Sequence, residues 1–374
     1  MAVTNAEAGR LTRAGGRLRA APGWQQAALL ALLVLALVAV PPLKGGILSQ
    51  RLALYLIFGL LGLSVALITG YARLFNIGVG ATFGVSAYAV AIATQHGVSN
   101  PLLLPLIGIG AGLVVSVLFG IYAIAAAGIQ YMMLTFLTTL AFFEIPNWAT
   151  KLTGGDNGLV LQGGLRISFG QNPIRGHGFY YLVLGVTLFV CAVCWYALSS
   201  QFGRAIRAIG QNPLRAAAMG YEVSRYRMAL TLLSGFVAAT GGWLLALDNQ
   251  FVSQDLVGLN YSLNGLLYAL VGGVDSILGP LIGAAGFRYI SETISRHSSD
   301  SQLFIGIALI AIVFLMPDDG VVGLYRRARA RGLRGSFAGL YAYALGLLRM
   351  LRSGDEAIEA EPAGLRPTED AGNG

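Results

Sequence analysis

Cys191 and Cys194 are the only cysteines in a chain of 374 residues. A Cys-x-x-Cys spacing on a helix puts both sulfurs on one face, as a redox pair or half a metal site would require. Their surroundings argue for neither, because they sit inside LVLGVTLFVCAVCWYAL, and an apolar interior disfavours the thiolate that both chemistries need. His96, His177 and His297 are far apart in sequence, with no clustered Cys or Asp to complete a ligand set. Neither of the two lysines, Lys44 and Lys151, follows the glycine spacing of a phosphate-cradling loop. No Ser, His and carboxylate grouping suggests nucleophilic catalysis. The expectation is a chain without metal, cofactor or catalytic residue, one that does not hydrolyse ATP itself.

The polar residues that remain are informative because of what surrounds them. Glu144 stands in LAFFEIPNWATKLTGGDNGL, where a carboxylate within an apolar run is costly and marks either an interfacial end or a solute path. Asn76 lies beside Gly78, Gly80 and Gly84 in GYARLFNIGVGATFGVSAY, where glycines allow helices to approach closely and leave room for a small molecule. Thr135, Thr138 and Thr139 put hydroxyls along one predicted helix, although Thr138 and Thr139 cannot face the same way. A basic stretch between two long apolar runs is GRAIRAIGQNPLRAAAMGYEVSRYR, residues 203–227. In it Asn212 can cap a helix that starts at Pro213, and Gly220 can end that helix in a left-handed conformation. Between these lie Arg215 and the small side chains Ala216, Ala217 and Ala218, a body suited to entering another protein's cleft, or else a plain turn.

The elements that must position these groups follow from composition. Hydrophobic residues make up 56% of the chain and charged residues 11%, about half the charge of an ordinary soluble domain. Runs such as LYLIFGLLGLSVALIT have no polar face, which excludes a soluble helical domain. The expected fold is all-α and polytopic, with about ten spans near 25–42, 50–70, 78–95, 102–126, 130–148, 179–199, 228–247, 256–274, 279–296 and 302–317. Arginines collect in three places: Arg10 to Arg19, Arg204 to Arg227, and Arg326 to Arg334. With ten spans all three fall on one side, which the positive-inside rule makes the cytoplasm, so the net charge of +8 calls for membrane lipid and no nucleic-acid partner. The expected organisation is a cytoplasmic basic tail (1–23), a membrane domain (24–327) with a polar loop at 200–227, and a cytoplasmic tail (328–374). Within that tail, residues 336–348 suit an interfacial helix and residues 353–374 are expected to be disordered.

FGRAIRAIGQNPLRAAAMGYEVSRYRMAL resembles the cytoplasmic coupling loop of branched-chain amino-acid type ABC importer permeases, in particular the second of their two permease subunits. GYARLFNIGVGATFGVSAY, LAFFEIPNWATKLTGGDNGL and VGGVDSILGPLIGA resemble further stretches of that family in order and spacing. With the ending MPDDGVVGLYRR the likeness covers residues 50–327. Val79 and Asp275 depart from the family's usual residues, and FNIGVG leans toward nucleoside-type permeases.

The resemblance implies an inner-membrane transport subunit with both termini cytoplasmic. Its partners would be a second permease subunit, ATP-binding cassette ATPase subunits and a periplasmic solute-binding protein. Asn76, Gly78, Gly80, Thr135, Thr138 and Glu144 would then belong to the path of a small-molecule solute. Asn212, Pro213, Arg215, Ala216, Ala217, Ala218 and Gly220 would dock on an ATPase. An ion-coupled carrier is the other class open to such a sequence, but the carboxylates Glu144, Asp248, Asp255, Asp275 and Glu292 fall near segment ends instead of mid-span. Reporter fusions test the expected topology. Fusion after Gly164 should read as periplasmic and fusion after Asn212 as cytoplasmic, and the same side for both would contradict it.

Overall fold

The computed structural model describes residues 46–98, 100–126, 128–161, 177–295 and Gly306. The described residues belong to the first of two compact units, residues 1–323. The span expected near 25–42, that near 302–317 apart from Gly306, His297, both tails and their arginines, and the interfacial segment lie outside the described residues.

In chain order the helices are α1 (Gly46–Ala66, continued by a π-helical turn over Leu67–Ala72), α2 (Val79–Gln95), α3 (Leu103–Ala125), α4 (Ile129–Trp148), α5 (Thr150–Thr153), α6 (His177–Ser199), α7 (Gln201–Gln211), α8 (Pro213–Ala218), α9 (Val223–Asn249), α10 (Leu259–Gly272) and α11 (Gly279–Ser295). Among the described residues the strands are one antiparallel pair, β1 (Leu159–Val160) with β2 (Phe251–Val252). Five described helices are long and apolar enough to cross a bilayer: α1 with its π turn, α3, α4, α6 and α9. This is an all-α polytopic membrane protein. The strand pair marks one end of the bundle, the β face, and residues 200–222 mark the other, the loop face.

Two expected spans begin in interrupted backbone instead of one continuous helix. The segments near 78–95 and 256–274 contain α2 and α10, of 17 and 14 residues. At the usual rise these are only about 26 and 21 Å long, short of the ~30 Å of hydrocarbon in a bilayer. Irregular backbone covers the missing depth, and it does so twice in the same way. The long helices α1 and α9 lie antiparallel, with Ser234 donating to the Ser64 carbonyl at 2.7 Å. Each ends in a residue of positive φ, Arg73 (53°) after the π turn of α1 and Gln250 (55°) after α9, the two such non-glycine residues among those described. The first is followed by a non-helical stretch and the second by β2 and a short 3-10 turn (Gln254–Val257), and both lead to a glycine N-cap, Gly78 before α2 and Gly258 before α10. The arrangement has the form of an inverted pair of broken helices, with Asn76 and Ile77 buried in the first break and Gln254, Leu256 and Val257 in the second, so that protein covers the innermost part of each.

Small residues let these helices close. Gly112 of α3 lies against Ala239 of α9, and Gly235 of α9 lies against Ser116 of α3. Gly242 of α9 sits directly against the Phe83 carbonyl of α2, where a Cβ has no space and the obstacle is backbone. Gly110 of α3 has open space around it. Gly242→Val should therefore lower the thermal unfolding temperature of the purified protein, at a cost of about 1 to 3 kcal/mol or more, while Gly110→Val stays within about 0.5 kcal/mol. Equal shifts for the two would contradict this packing.

Candidate functional site

The two breaks meet in the interior. The Asn76 side chain accepts from Gly78 N–H at 2.7 Å, closing the turn that starts α2. One turn further, Gly80 N–H donates to Ser262 Oγ at 2.9 Å, so the first turns of α2 and α10 touch. Both helices present their positive ends at this junction.

Both breaks are hydrogen-bonded to α4. Ile77 N–H donates to Thr135 Oγ1 and Thr139 Oγ1 donates to the Ile77 carbonyl, both at 3.3 Å. Thr135 and Thr139 lie about 9 and 15 Å along α4 from its loop-face end, which places Ile77 well inside the bundle. Nearer the β face, the Gln254 side chain from the second break donates to the Phe143 carbonyl at 2.8 Å. One narrow stripe of α4 is thereby fixed: Tyr131, Thr135, Thr139 and Pro146 are buried, and most of its remaining surface is open.

The sequence candidates divide on this geometry. Asn76, Gly78, Gly80, Thr135 and Thr139 come together. Thr138 points elsewhere and donates to Tyr122 Oη at 3.3 Å. Glu144 lies exposed on the open face of α4, apart from the junction. Gly78 packs on the Phe119 ring and Gly80 on Ser262 and the Gly258 carbonyl, so the room expected beside these glycines is filled in this conformation. Hydropathy gave no sign of Ser262 or Gln254, because their roles come from contacts distant in sequence. The TGGDNG turn is fastened to the end of α9: Gly158 abuts the Val252 carbonyl, and β1 pairs with β2.

The loop face forms the second cluster. Asn212 Oδ1 accepts from Arg215 N–H at 3.0 Å, Pro213 opens α8, and Gly220 adopts φ 88° just after it, as their types require. One expectation is corrected here. Ala216 is 1% exposed and packs into the chain's own core, so it offers no surface to a partner. Leu214 is 82% exposed and Met219 67%, and with Ala217 and Ala218 they form the apolar outer side of α8. α7 lays its buried face, Gly203, Ala205, Ile206 and Ile209, on the bundle. Its Gly210 sits tight against the Tyr71 carbonyl, and Arg207 lies over the Tyr71 ring at 5.0 Å. α7 thus bears directly on the π turn that leads into the first break.

Arg227 is a second correction. Read from hydropathy it belongs to the exposed loop, but α9 starts at Val223, and Arg227 is buried on it with Nη1 donating to the Ala123 carbonyl at the end of α3 (3.1 Å). Among the described residues there is no group of three metal-ligating side chains, and Cys191 and Cys194 are free. Arg227→Ala should cost about 1 to 3 kcal/mol of stability by stranding that carbonyl and leaving a gap. Arg225→Ala, which loses an exposed pair with Glu222, should change stability by about 0.5 kcal/mol or less. Thermal unfolding of the two variants makes the comparison, and an insensitive Arg227 would contradict the tie.

A family model described as branched-chain amino acid transport system / permease component matches residues 47–313. The fructose import permease FrcC of Rhizobium meliloti is 26% identical over 306 residues, 76% of this chain and 83% of that protein. The high-affinity branched-chain amino acid transport system permease LivM of Escherichia coli is 25% identical over 320 residues, 78% of this chain and 74% of its own length. The nucleoside ABC transporter permease NupC of Lactococcus lactis is 29% identical over 101 residues, 26% of this chain and 32% of that one. No solved structure matches.

Proposed function

The chain belongs to the ABC importer permease family whose model is described as branched-chain amino acid transport system / permease component, and from that premise we propose that its solute is a branched-chain or other hydrophobic amino acid. It is the membrane permease component of an ABC importer and not itself an enzyme. The observation that carries the solute reading is the junction of α2 and α10, where two helix N-termini meet beside the hydroxyls of Thr135, Thr139 and Ser262. Helix N-termini attract a carboxylate, and an amino acid brings one. A sugar is the second reading, favoured by the fructose permease, which matches about as much of the chain at about the same identity as the amino-acid permease does.

In the proposed arrangement the loop face is cytoplasmic, the membrane is the bacterial inner membrane, and both termini are cytoplasmic. A second permease subunit covers the open face of α4, so that Glu144 looks onto the shared path and not onto lipid, where a carboxylate is expensive. A periplasmic solute-binding protein delivers the solute at the β face. The apolar outer side of α8, Leu214 with Ala217 and Ala218, enters a cleft of an ATP-binding cassette ATPase. Movement of α8 passes through α7 to Tyr71 and the π turn, and from there along residues 73–78 to Asn76 and Ile77. Phe119 and Ser262, which fill the space beside Gly78 and Gly80, then move apart from α2 to admit the solute.

Two experiments test these readings separately. Uptake by cells expressing the complete transporter is measured with leucine, fructose and uridine; leucine uptake that depends on this chain supports the proposal, and uptake of fructose or uridine alone overturns the solute. For coupling, Ala217→Trp or deletion of residues 213–220 should abolish uptake and ATPase copurification while membrane abundance is retained. Overfilling a packed contact costs about 1 to 3 kcal/mol, enough to weaken docking roughly tenfold or more. Parental uptake by the deletion variant would reduce the loop to a connector.

A further inference from the structure

We propose that the loop face carries a binding site for the phosphate of an anionic lipid headgroup, formed by Arg204 and Arg207 of α7 with Trp195 and Ser199 of α6 and Tyr71 of the π turn. These residues, with Leu198 and Ile277, line a cavity of about 400 Å³. Arg204 and Arg207 are three apart on α7, so both guanidiniums leave the same side of the helix, away from the buried Ile206 and Ile209. Arg207 rests over the Tyr71 ring, a contact that steadies the guanidinium without neutralising it. Among the described residues no carboxylate pairs with either arginine, since the ion pairs found there are Arg51 with Glu292 and Arg225 with Glu222. Two neighbouring cations repel, and an anion seated between them relieves that repulsion while accepting their N–H groups. Ser199 adds a hydroxyl at the cavity wall.

The direction of approach decides the occupant. Trp195 and Leu198 belong to α6, a helix apolar enough to span, and Trp195 and Tyr196 are 68% and 78% exposed near its loop-face end. Exposed Trp and Tyr at the end of a span mark the level at which headgroups meet water. A cavity walled by such a helix is reached along the bilayer surface, where anionic phosphates are concentrated, and basic pockets at that level bind lipid headgroups. Free phosphate shares the same chemistry. The site touches Tyr71 and α7, so its occupant bears on the contact between α7 and the π turn. The inference does not depend on the solute proposed above.

The test counts lipid retained by the full-length protein in nanodiscs of phosphatidylcholine containing graded phosphatidylglycerol, using native mass spectrometry. The wild type should retain phosphatidylglycerol in preference to phosphatidylcholine. An Arg204→Gln, Arg207→Gln double variant should lose that preference roughly tenfold or more. Arg215→Gln, on the exposed side of α8 outside the cavity, should keep it. If the double variant does not accumulate, Arg204→Gln alone carries the comparison, because its side chain stacks on no ring. Equal retention by wild type and variant overturns the site. Displacement of the retained lipid by millimolar inorganic phosphate overturns the lipid assignment in favour of a free anion. Loss of ATPase copurification with lipid retention unchanged overturns it in favour of a protein carboxylate.

Discussion

A helix that breaks inside a bilayer has to find partners within the protein for every N–H and C=O it releases, because hydrocarbon offers none. This chain has two such breaks, and side chains tie both of them to the same neighbouring helix. The first break, residues 73–78, is closed by Asn76 onto Gly78 N–H and sewn to α4 through Thr135 and Thr139. The second, residues 250–258, is sewn to α4 through Gln254. The short helices that follow touch through Gly80 and Ser262. Removing either break would strand the partners of the other, so the junction and α4 form one mechanical unit.

That unit also explains the loop face. A helix such as α4, bound along one stripe and open elsewhere, follows whatever moves the backbone to which it is tied. The backbone of the first break begins at the π turn, and a π turn within a helix is a common place for functional adjustment. α7 presses on that turn through Gly210 and Arg207, and Arg227 ties the start of α9 to the end of α3, the helix that precedes α4. The polar insert is thus attached at both of its ends to the elements that frame the junction. These attachments give a physical route between α8 and the junction of α2 and α10 without appeal to distance alone.

Much of the fold can be read directly from the sequence, and the reasons for the exceptions are local. Spans such as α3 and α9 announce themselves because hydropathy is a property of a single segment. The cap at Asn212, the start at Pro213 and the left-handed Gly220 are equally legible, since each concerns a backbone within four residues. The start of α10 is not, because Leu256 and Val257, which end a 3-10 turn, are as apolar as the helix that follows and hydropathy cannot separate them. Arg227 misleads for a related reason: a positive charge beside an apolar run looks like a flank, and only the Ala123 carbonyl, over a hundred residues away, identifies it as part of the helix. In α8 the alanines look alike in sequence, and only packing assigns Ala216 to the core and Ala217 to the surface. The solute is least legible, because the amino-acid and sugar relatives match the chain at about the same identity over about the same share of it.

The central claim is that the junction of α2 and α10, packed in this conformation, opens to water during transport. Ser262→Cys places a thiol where Gly80 N–H now donates, in a background in which Cys191 and Cys194 are replaced by Ala. The assembled, transport-competent importer is then exposed to a membrane-impermeant, water-soluble thiol reagent with and without ATP. The account predicts modification in one nucleotide state and protection in the other. A variant that transports normally yet stays unmodified in every state would contradict it.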